Sequence, residues 1–239
     1  MASWDAFLTD TDKEVLKVWG KTKLNGFGEH PALMIIDDYY CVLGTERKPI
    51  LESIKTWPIS CGEAGWQAVD RTAELLAIAR EAGIPVIHTR DLEGFPSPWQ
   101  RWREPGRNSL DHLPPELRAK ANQIVDEVAP IPGELVVEKA GPSAFTGTPL
   151  MFHLNFHSID TIVVCGETTS GCVRASVVEG ATYRYRMVVV DECCFDRTEA
   201  SHQINLFDIH MKYGDVVDLQ TAKDYFHAVG AKNKALVPA

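Results

Sequence analysis

Residues 161–185 decide the fold, and they read TIVVCGETTSGCVRASVVEGATYRY. The apolar, β-branched run at 161–165 predicts a buried strand, which Gly166 ends. A polar turn follows, and helical periodicity begins at Cys172. The stretch therefore predicts a strand, a tight turn and a helix whose first turn carries a cysteine.

Cys172 occupies a position that suits a nucleophile. The unpaired backbone N–H groups at the start of a helix, together with the positive end of its dipole, stabilise a negative charge. We therefore expect the thiol to ionise more readily than that of an ordinary cysteine. A small apolar side chain packed under the turn is an equally good interpretation of this segment alone.

Five further segments are short, largely apolar and rich in β-branched residues, which predicts strands at 32–36, 85–89, 134–137, 187–190 and 216–219. Helical patterns separate them at 63–82, 113–128, 145–156 and 198–213, and a short helix is expected after the last strand. This alternation predicts a single-domain, three-layer α/β/α Rossmann-like fold. Right-handed crossovers and the common doubly wound topology give a six-stranded, mostly parallel sheet in the order 3-2-1-4-5-6.

The N-terminal segment is predicted to differ from the α/β domain. Residues 10–20 have the periodicity of an amphipathic helix in which Val15 and Trp19 are apolar. We expect residues 1–30 to form this helix and a lead-in, and residues 31–239 to form the α/β domain. The apolar side of the helix would then pack on the domain or on a neighbouring subunit.

Composition argues against several classes of protein. The net charge is -9 over 239 residues, with acidic and basic residues interleaved, which argues against nucleic-acid binding. No apolar run approaches the roughly 20 residues that span a bilayer, and residues 1–23 lack a signal-peptide core. We therefore expect a cytoplasmic protein that binds no membrane. The six cysteines show neither a disulfide framework nor paired zinc spacing, so we expect reduced thiols.

Three chemically useful residues follow strands that end at the same edge of the predicted sheet. Asp37 follows strand one, Lys139 follows strand three and Cys172 follows strand four. Asp37 would accept the thiol proton, Lys139 would hold positive charge beside both, and Cys172 would attack a carbonyl. Backbone N–H groups of the turn would stabilise the oxyanion, each worth about 10²–10³ in rate. Taken singly, Asp37 is also typical of a turn, and Lys139 is also typical of a solvated surface. Together with Cys172, they favour an active site that hydrolyses an amide.

Three motifs carry a family resemblance: ALMIIDDYY at 32–40, VVEKAGPSAFTGTPL at 136–150 and VVCGETTSGCVRASVVEGA at 163–181. In this order they resemble the isochorismatase-like cysteine hydrolases, through nearly the whole chain. The resemblance implies that Asp37 is the catalytic aspartate, Lys139 the catalytic lysine and Cys172 the nucleophile. It also implies a cis peptide bond between Glu167 and Thr168, and an oxyanion hole from the amides of Thr168 and Cys172.

The segment FDRTEASHQINLFDIHMKYGDVVD at 195–218 is most similar to the branch that contains N-carbamoylsarcosine amidase and maleamate amidohydrolase. This resemblance implies that Arg197 binds the substrate carboxylate, a role that suits the planar fork of a guanidinium. The alternative for Arg197 is a local salt bridge to Asp196, Glu199 or Asp191. Arg174 is expected to point away along its helix and pair with an acidic neighbour.

Two departures from relatives narrow the prediction. Nicotinamidases of this family hold a metal with an aspartate and histidines after strand two, where this chain reads HTRDLEGFPSPW, so we predict no metal and no cofactor. Asp38 replaces the usual methionine after the aspartate, and it would point outward.

Segment 90–108, with Trp99 and Trp102, is irregular in composition and indicates a loop over the mouth of the pocket.

The residues and the resemblance together predict a metal-independent amidohydrolase. Its substrate would be a small carboxylated amide or N-carbamoyl compound, which releases ammonia through an S-acyl or S-carbamoyl intermediate on Cys172. Two alternatives are a non-catalytic scaffold of the same fold and a hydrolase for neutral small amides or lactams. Relatives are commonly dimers or tetramers, so we expect a homodimer or homotetramer whose ligand is a small molecule.

Overall fold

A six-stranded sheet forms the centre of the computed structural model, which describes residues 3–92 and 110–236. Its strands are β1 (Pro31–Ile36), β2 (Val86–Asp91), β3 (Leu135–Lys139), β4 (Thr161–Glu167), β5 (Arg186–Phe195) and β6 (Asp215–Val217). Neighbouring strands pair in parallel in the order β3-β2-β1-β4-β5-β6, which confirms the predicted topology. The predicted loop at 90–108, including Trp99 and Trp102, lies almost entirely outside the described residues.

Nine α-helices occur in the described residues: α1 (Asp10–Trp19), α2 (Tyr40–Leu43), α3 (Ile50–Ser53), α4 (Gly62–Glu81), α5 (Pro115–Lys120), α6 (Leu150–Phe156), α7 (Arg174–Thr182), α8 (Glu199–Lys212) and α9 (Leu219–Leu236). They cover both faces of the sheet, as the three-layer prediction requires. Among the residues that the structure describes, none of these helices is long and apolar enough to cross a membrane.

Alternate residues along each strand enter two separate cores, because successive side chains of a strand point to opposite faces. One core lies under α4 and α9 and includes Leu33, Ile35, Val163, Val188, Trp66, Leu76 and Phe226. The other lies under α6, α7 and α8 and includes Met34, Ile36, Val164, Val189, Leu154, Val177 and Leu206. Strands β1 and β4 are buried at every position, as expected for central parallel strands.

Three helix predictions are wrong in extent. The pattern at 113–128 forms only α5 and a 3-10 turn at Asp126–Val128, because the backbone N–H of Val125 donates to the carbonyl oxygen of Asp38. That bond draws the chain into an extended path beside the end of β1. The pattern at 145–156 becomes helical only at Leu150, since Gly147 has a positive φ and a proline precedes the helix. The last helix has 18 residues and is not short.

The N-terminal segment is held by its ends. Trp4 is buried, with its ring 6.3 Å from that of Phe207 on α8. Lys21 forms an ion pair with buried Asp215 at the start of β6. Between these anchors α1 forms as predicted but buries none of its residues, and Val18 is 92% exposed. The apolar side of α1 therefore does not pack on the domain.

Candidate active site

The carboxyl edge of the sheet brings together Asp37, Lys139 and Cys172. Asp37 directly follows β1, Lys139 is the last residue of β3, and Cys172 lies in the turn between β4 and α7. Lys139 Nζ is 2.6 Å from Asp37 Oδ2 and 3.5 Å from Cys172 Sγ. The aspartate and the lysine are buried and the cysteine is partly exposed. An acid–base group, a cation and a thiol therefore meet at one point.

Two hydroxyl groups orient the carboxylate of Asp37. Its Oδ1 accepts hydrogen bonds from the hydroxyl of Thr89 at 2.5 Å and from that of Tyr39 at 2.9 Å. Asp37 itself has a φ of 57°, a left-handed conformation that is uncommon for a non-glycine residue. Sequence reasoning missed both hydroxyl groups, although Tyr39 stands two residues after Asp37 and Thr89 lies near the carboxyl end of the neighbouring strand.

Lys139 uses its three N–H donors within the site. Besides Asp37 and Cys172, its Nζ donates to the carbonyl oxygen of Gly141 at 3.2 Å. Burial lowers the pKa of Lys139, but the negative charge of Asp37, which also accepts a hydrogen bond from Nζ, outweighs it, so the net pKa is raised. The lysine therefore remains an ammonium beside the thiol.

The turn that carries Cys172 requires an unusual backbone. Gly166 has a φ of 108°, and a Cβ at this position would lie 2.1 Å from the carbonyl oxygen of Ile36, so only glycine fits. The peptide bond between Glu167 and Thr168 is cis. A wide helical turn, Thr169–Val173, then leads into α7. This path places the thiol at the start of a helix, beside the end of β1.

The pKa of the Cys172 thiol shifts in the direction opposite to our expectation. Burial raises it most, and the carboxylate of Asp37 raises it further, whereas Lys139 lowers it. The resulting pKa is about 12, so the resting side chain is a thiol. The expected effect of the helix start is thus outweighed by desolvation and by a neighbouring negative charge.

Arg197 lies at the same edge of the sheet, after β5. Its Nε donates to the carbonyl oxygen of Ile59 at 2.7 Å, and its Nη1 donates to the hydroxyl of Thr168 at 3.2 Å. Its Nη2 is 3.4 Å from Oε2 of Glu167, and about one third of the side chain (34%) is exposed. The ion-pair partner is therefore Glu167, which none of the predicted alternatives named.

Glu167 is a buried carboxyl group at the end of β4. Besides Arg197, it accepts a hydrogen bond of 2.5 Å from the hydroxyl of Thr168. Burial raises its pKa, Arg197 and Thr168 lower it, and Asp37 and Asp196 raise it, for a value of about 7. Ile36 pairs with Gly166 in the sheet, so Asp37 and Glu167 leave adjacent strands side by side.

Asp38 is buried and does not point outward as expected. Neither of its carboxyl oxygens has a hydrogen-bond partner in the part of the chain that the structure describes. Burial, then Glu167 and Asp37, raise the pKa of Asp38 well above its usual range. An environment without hydrogen-bond donors favours the neutral form of a buried carboxyl group.

Two further predictions concern residues around the site. Arg174 points away from Cys172 and pairs with Asp208 of α8 at 3.0 Å, as predicted. Within residues 3–92 and 110–236, no group of three histidine, cysteine, aspartate or glutamate side chains could hold a metal ion. His88 lies on β2, and its Nε2 is 2.9 Å from Oε2 of Glu134.

Fold and site together define an α/β protein with a cysteine-centred candidate active site. The model of the isochorismatase domain family matches residues 57–221. The maleamate amidohydrolase of Pseudomonas putida is 36% identical over 210 residues, which cover 86% of this chain and 90% of that protein. The N-carbamoylsarcosine amidase of an Arthrobacter species is 31% identical over 85% of this chain and 74% of its own length. The chain therefore belongs to the isochorismatase family.

A solved structure supports the fold independently. The cysteine hydrolase from Pseudomonas syringae pv. phaseolicola superposes with a TM-score of 0.70, covering 87% of this chain and 100% of its own. Its sequence is only 18% identical, so this likeness concerns the fold alone.

Proposed function

We propose that this protein is a cysteine-dependent amidohydrolase that cleaves the C–N bond of a small amide and releases ammonia. One observation carries the proposal: the Lys139 ammonium contacts both the Asp37 carboxylate and the Cys172 sulfur. The three residues have the roles of cation, general base and nucleophile. The names of two relatives, an amidohydrolase and an amidase, support the same reaction class.

In the first half-reaction Asp37 acts as the base. Because the thiol has a raised pKa, its proton passes to Asp37 as the sulfur–carbon bond forms, and a free thiolate does not accumulate. The carbonyl oxygen becomes an oxyanion, which accepts hydrogen bonds from the backbone N–H groups of Thr168 and Cys172. The C–N bond then breaks, Asp37 returns the proton to the leaving nitrogen, and ammonia departs. The product on Cys172 is an S-acyl or S-carbamoyl group.

In the second half-reaction a water molecule releases the acyl group. Asp37 removes a proton from the water, whose oxygen attacks the thioester carbon. The carbon–sulfur bond breaks, and the proton held by Asp37 returns to the sulfur of Cys172. Lys139 stays charged throughout, which stabilises the negative charge as it moves between carboxylate and sulfur.

The proposed substrate is a small carboxylated amide or an N-carbamoyl compound. The exposed part of Arg197 supports this choice, since among the described residues its Nη1 and Nη2 make only longer contacts, of 3.2 and 3.4 Å. A guanidinium pairs with a carboxylate through two parallel hydrogen bonds. A neutral small amide is the second candidate, and the ion pair between Arg197 and Glu167 favours it, because that pair already compensates the cation.

Ammonia release from a panel of amides tests the proposal. The panel contains maleamate, N-carbamoylsarcosine, nicotinamide and a neutral alkyl amide, each with and without a chelator. We expect turnover that a chelator does not change and that Cys172→Ser reduces by at least about 10³-fold. Cys194→Ser is the matched control, because Cys194 is buried and its Sγ donates to the Val164 carbonyl as a hydroxyl would. Substantial activity of Cys172→Ser would exclude the covalent mechanism.

The proposed assembly is a homodimer or homotetramer. The exposed apolar residues Val15, Val18 and Trp19 of α1 support an assembly, since large apolar side chains seldom cluster on a free surface. Sedimentation velocity measures the oligomeric state directly, and a monomer at micromolar concentration would contradict the prediction.

A further inference from the structure

The pair formed by Glu167 and Arg197 bears on which substrates the proposed enzyme accepts. Glu167 directly precedes Thr168, whose amide is part of the proposed oxyanion hole, and the Thr168 hydroxyl contacts both members of the pair. Arg197 is partly exposed, whereas Glu167 is buried behind it. A substrate carboxylate that binds Arg197 must therefore compete with the carboxylate of Glu167.

The charged groups that act most directly on the Cys172 thiol are Asp37, Lys139 and Glu167. The Asp37 carboxylate is paired with the Lys139 ammonium at 2.6 Å, so these two contribute no net charge. Burial raises the pKa of Asp38 and favours its neutral form, and Cys172, with a pKa of about 12, is a thiol. The net charge around the thiol thus depends on the protonation of Glu167.

Groups that act electrostatically on Glu167 come from five segments of the chain. They are Asp37 and Asp38 after β1, Cys41 on α2, Cys61 before α4, Thr168 and Cys172 on the turn, and Asp196 and Arg197 after β5. Burial also raises the pKa of Cys41 and of Cys61, so both remain neutral thiols. Arg197 is the one cation in this set of described residues.

We propose that Glu167 determines the charge preference of the site. When Glu167 is protonated, Arg197 is available to an anionic substrate; when Glu167 is ionised, it occupies Arg197 and a neutral amide is preferred. Binding of a carboxylate then takes up one proton from solvent at Glu167, and departure of the product releases it. This inference rests on the proposed function, in which the substrate contacts Arg197 while its carbonyl carbon lies at Cys172.

Two physical arguments support the coupling. Two carboxylates cannot share one guanidinium in a buried site without a large desolvation cost, unless one of them is protonated. The buried position of Glu167 has already raised its pKa to about 7, so protonation there costs little near neutral pH. Glu167 is accordingly a positioning residue that acts through Arg197.

Alkylation of Cys172 by an anionic and a neutral reagent measures this preference without a known substrate. Iodoacetate and iodoacetamide have nearly the same size and differ in charge, so the ratio of their rates cancels the ionisation of the thiol itself. In the wild-type protein we expect the ratio of the iodoacetate rate to the iodoacetamide rate to fall by about fivefold to tenfold per pH unit above about pH 7.5. A tenfold fall per pH unit is about the largest that the loss of one proton can cause. Labelling at Cys172 is verified by peptide mass spectrometry.

Three variants separate this role from a structural one. Glu167→Gln should keep a high ratio at every pH, because an amide cannot ionise and Arg197 stays available. Arg197→Gln should give a low ratio at every pH. Glu74→Gln is the matched control, since the exposed Glu74 pairs with Lys223 on α9 and not with Arg197, and the variant should retain the wild-type profile.

The outcomes are distinguishable from those of the activity panel. A wild-type ratio that does not change with pH would overturn the inference, even if Glu167→Gln failed to fold. Resistance of Cys172 to both reagents would also overturn it, because Arg197 would then face no space open to a small anion. Silence of the whole amide panel, with the expected alkylation profile, would remove the proposed substrates and leave the charge preference intact.

Discussion

Asp37 and Lys139 form an ion pair that is almost completely excluded from water, with each side chain at most 4% exposed. A buried pair is strongly destabilised when one partner is removed, because the remaining charge has lost its compensation. The pair therefore affects the stability of the fold as well as the chemistry proposed at Cys172.

Asp37→Asn should lower both stability and activity. We expect the free energy of unfolding to fall by about 3–5 kcal/mol, since Lys139 is left buried without its carboxylate. Turnover should fall by about 10²–10⁴-fold because the thiol has lost its base. Urea unfolding and ammonia release measure the two effects. The double variant Asp37→Asn/Lys139→Met should recover stability but not activity, and an equally unstable double variant would contradict this account.

The titration of Cys172 follows from its surroundings. With a pKa of about 12, the thiol should react with iodoacetamide at a rate that keeps rising through alkaline pH. A plateau near neutral pH would show a stabilised thiolate and contradict the assignment. In Asp37→Asn, loss of the adjacent negative charge should move the rise to lower pH, which stopped-flow alkylation would detect.

The connection from β4 to α7 depends on the close approach of two backbones at Gly166. A Cβ there would meet the backbone of Ile36 on β1, which has no room to move inside the sheet. The turn that carries Cys172 is therefore determined by the packing of β4 on β1, and not by the turn residues alone.

Gly166→Ala should destabilise the fold by at least about 3 kcal/mol, because strain from the positive φ adds to the clash with Ile36. Gly133→Ala is the matched control. Gly133 also has a positive φ, of 99°, but beyond its chain neighbours no atom of the described residues lies within 4 Å of the place its Cβ would take. Its cost should be about 1–2 kcal/mol, from the left-handed backbone alone. Thermal unfolding compares the two variants, and equal losses would show that the contact with β1 is unimportant.

The strands were predictable from short windows, whereas several helix boundaries were not. β-branched runs such as 161–165 identify a buried parallel strand wherever it lies in the chain. The helix predicted at 113–128 failed because Val125 bonds to Asp38, a residue more than 80 positions away in the sequence. Local propensity is weak enough that such a distant hydrogen bond decides the outcome.

At the scale of the whole molecule, an ionic cluster at the edge of the sheet formed by β3 links α4, β2 and the segment before β3. Glu134, just before β3, accepts hydrogen bonds from Arg80 of α4 and lies 2.9 Å from His88 of β2. Burial raises the pKa of Glu134, but the hydrogen bonds from Arg80, the Ile131 N–H and His88 outweigh it and lower the pKa to about 2.

The stability of the protein should therefore decrease in acid. Because the pKa of Glu134 is lower in the folded chain than its ordinary value of 4.5, its contribution is complete above pH 4.5 and is lost as the pH falls toward 2. We expect this contribution to be about 2–3 kcal/mol. Urea unfolding between these limits should show a smaller decrease for Glu134→Gln. Glu138→Gln, at an exposed pair with Arg90, should behave like the wild type.

The sequence by itself determined the order of the strands, the three-layer architecture and the positions of Asp37, Lys139 and Cys172 at strand ends. These follow from local patterns and from the rule that parallel strands end at one edge of the sheet. Only the tertiary structure decided the protonation of Cys172, the burial of Asp38 and the pairing of Arg197 with Glu167. Each depends on desolvation and on charges brought together from distant segments, and such quantities exist only once the chain has packed.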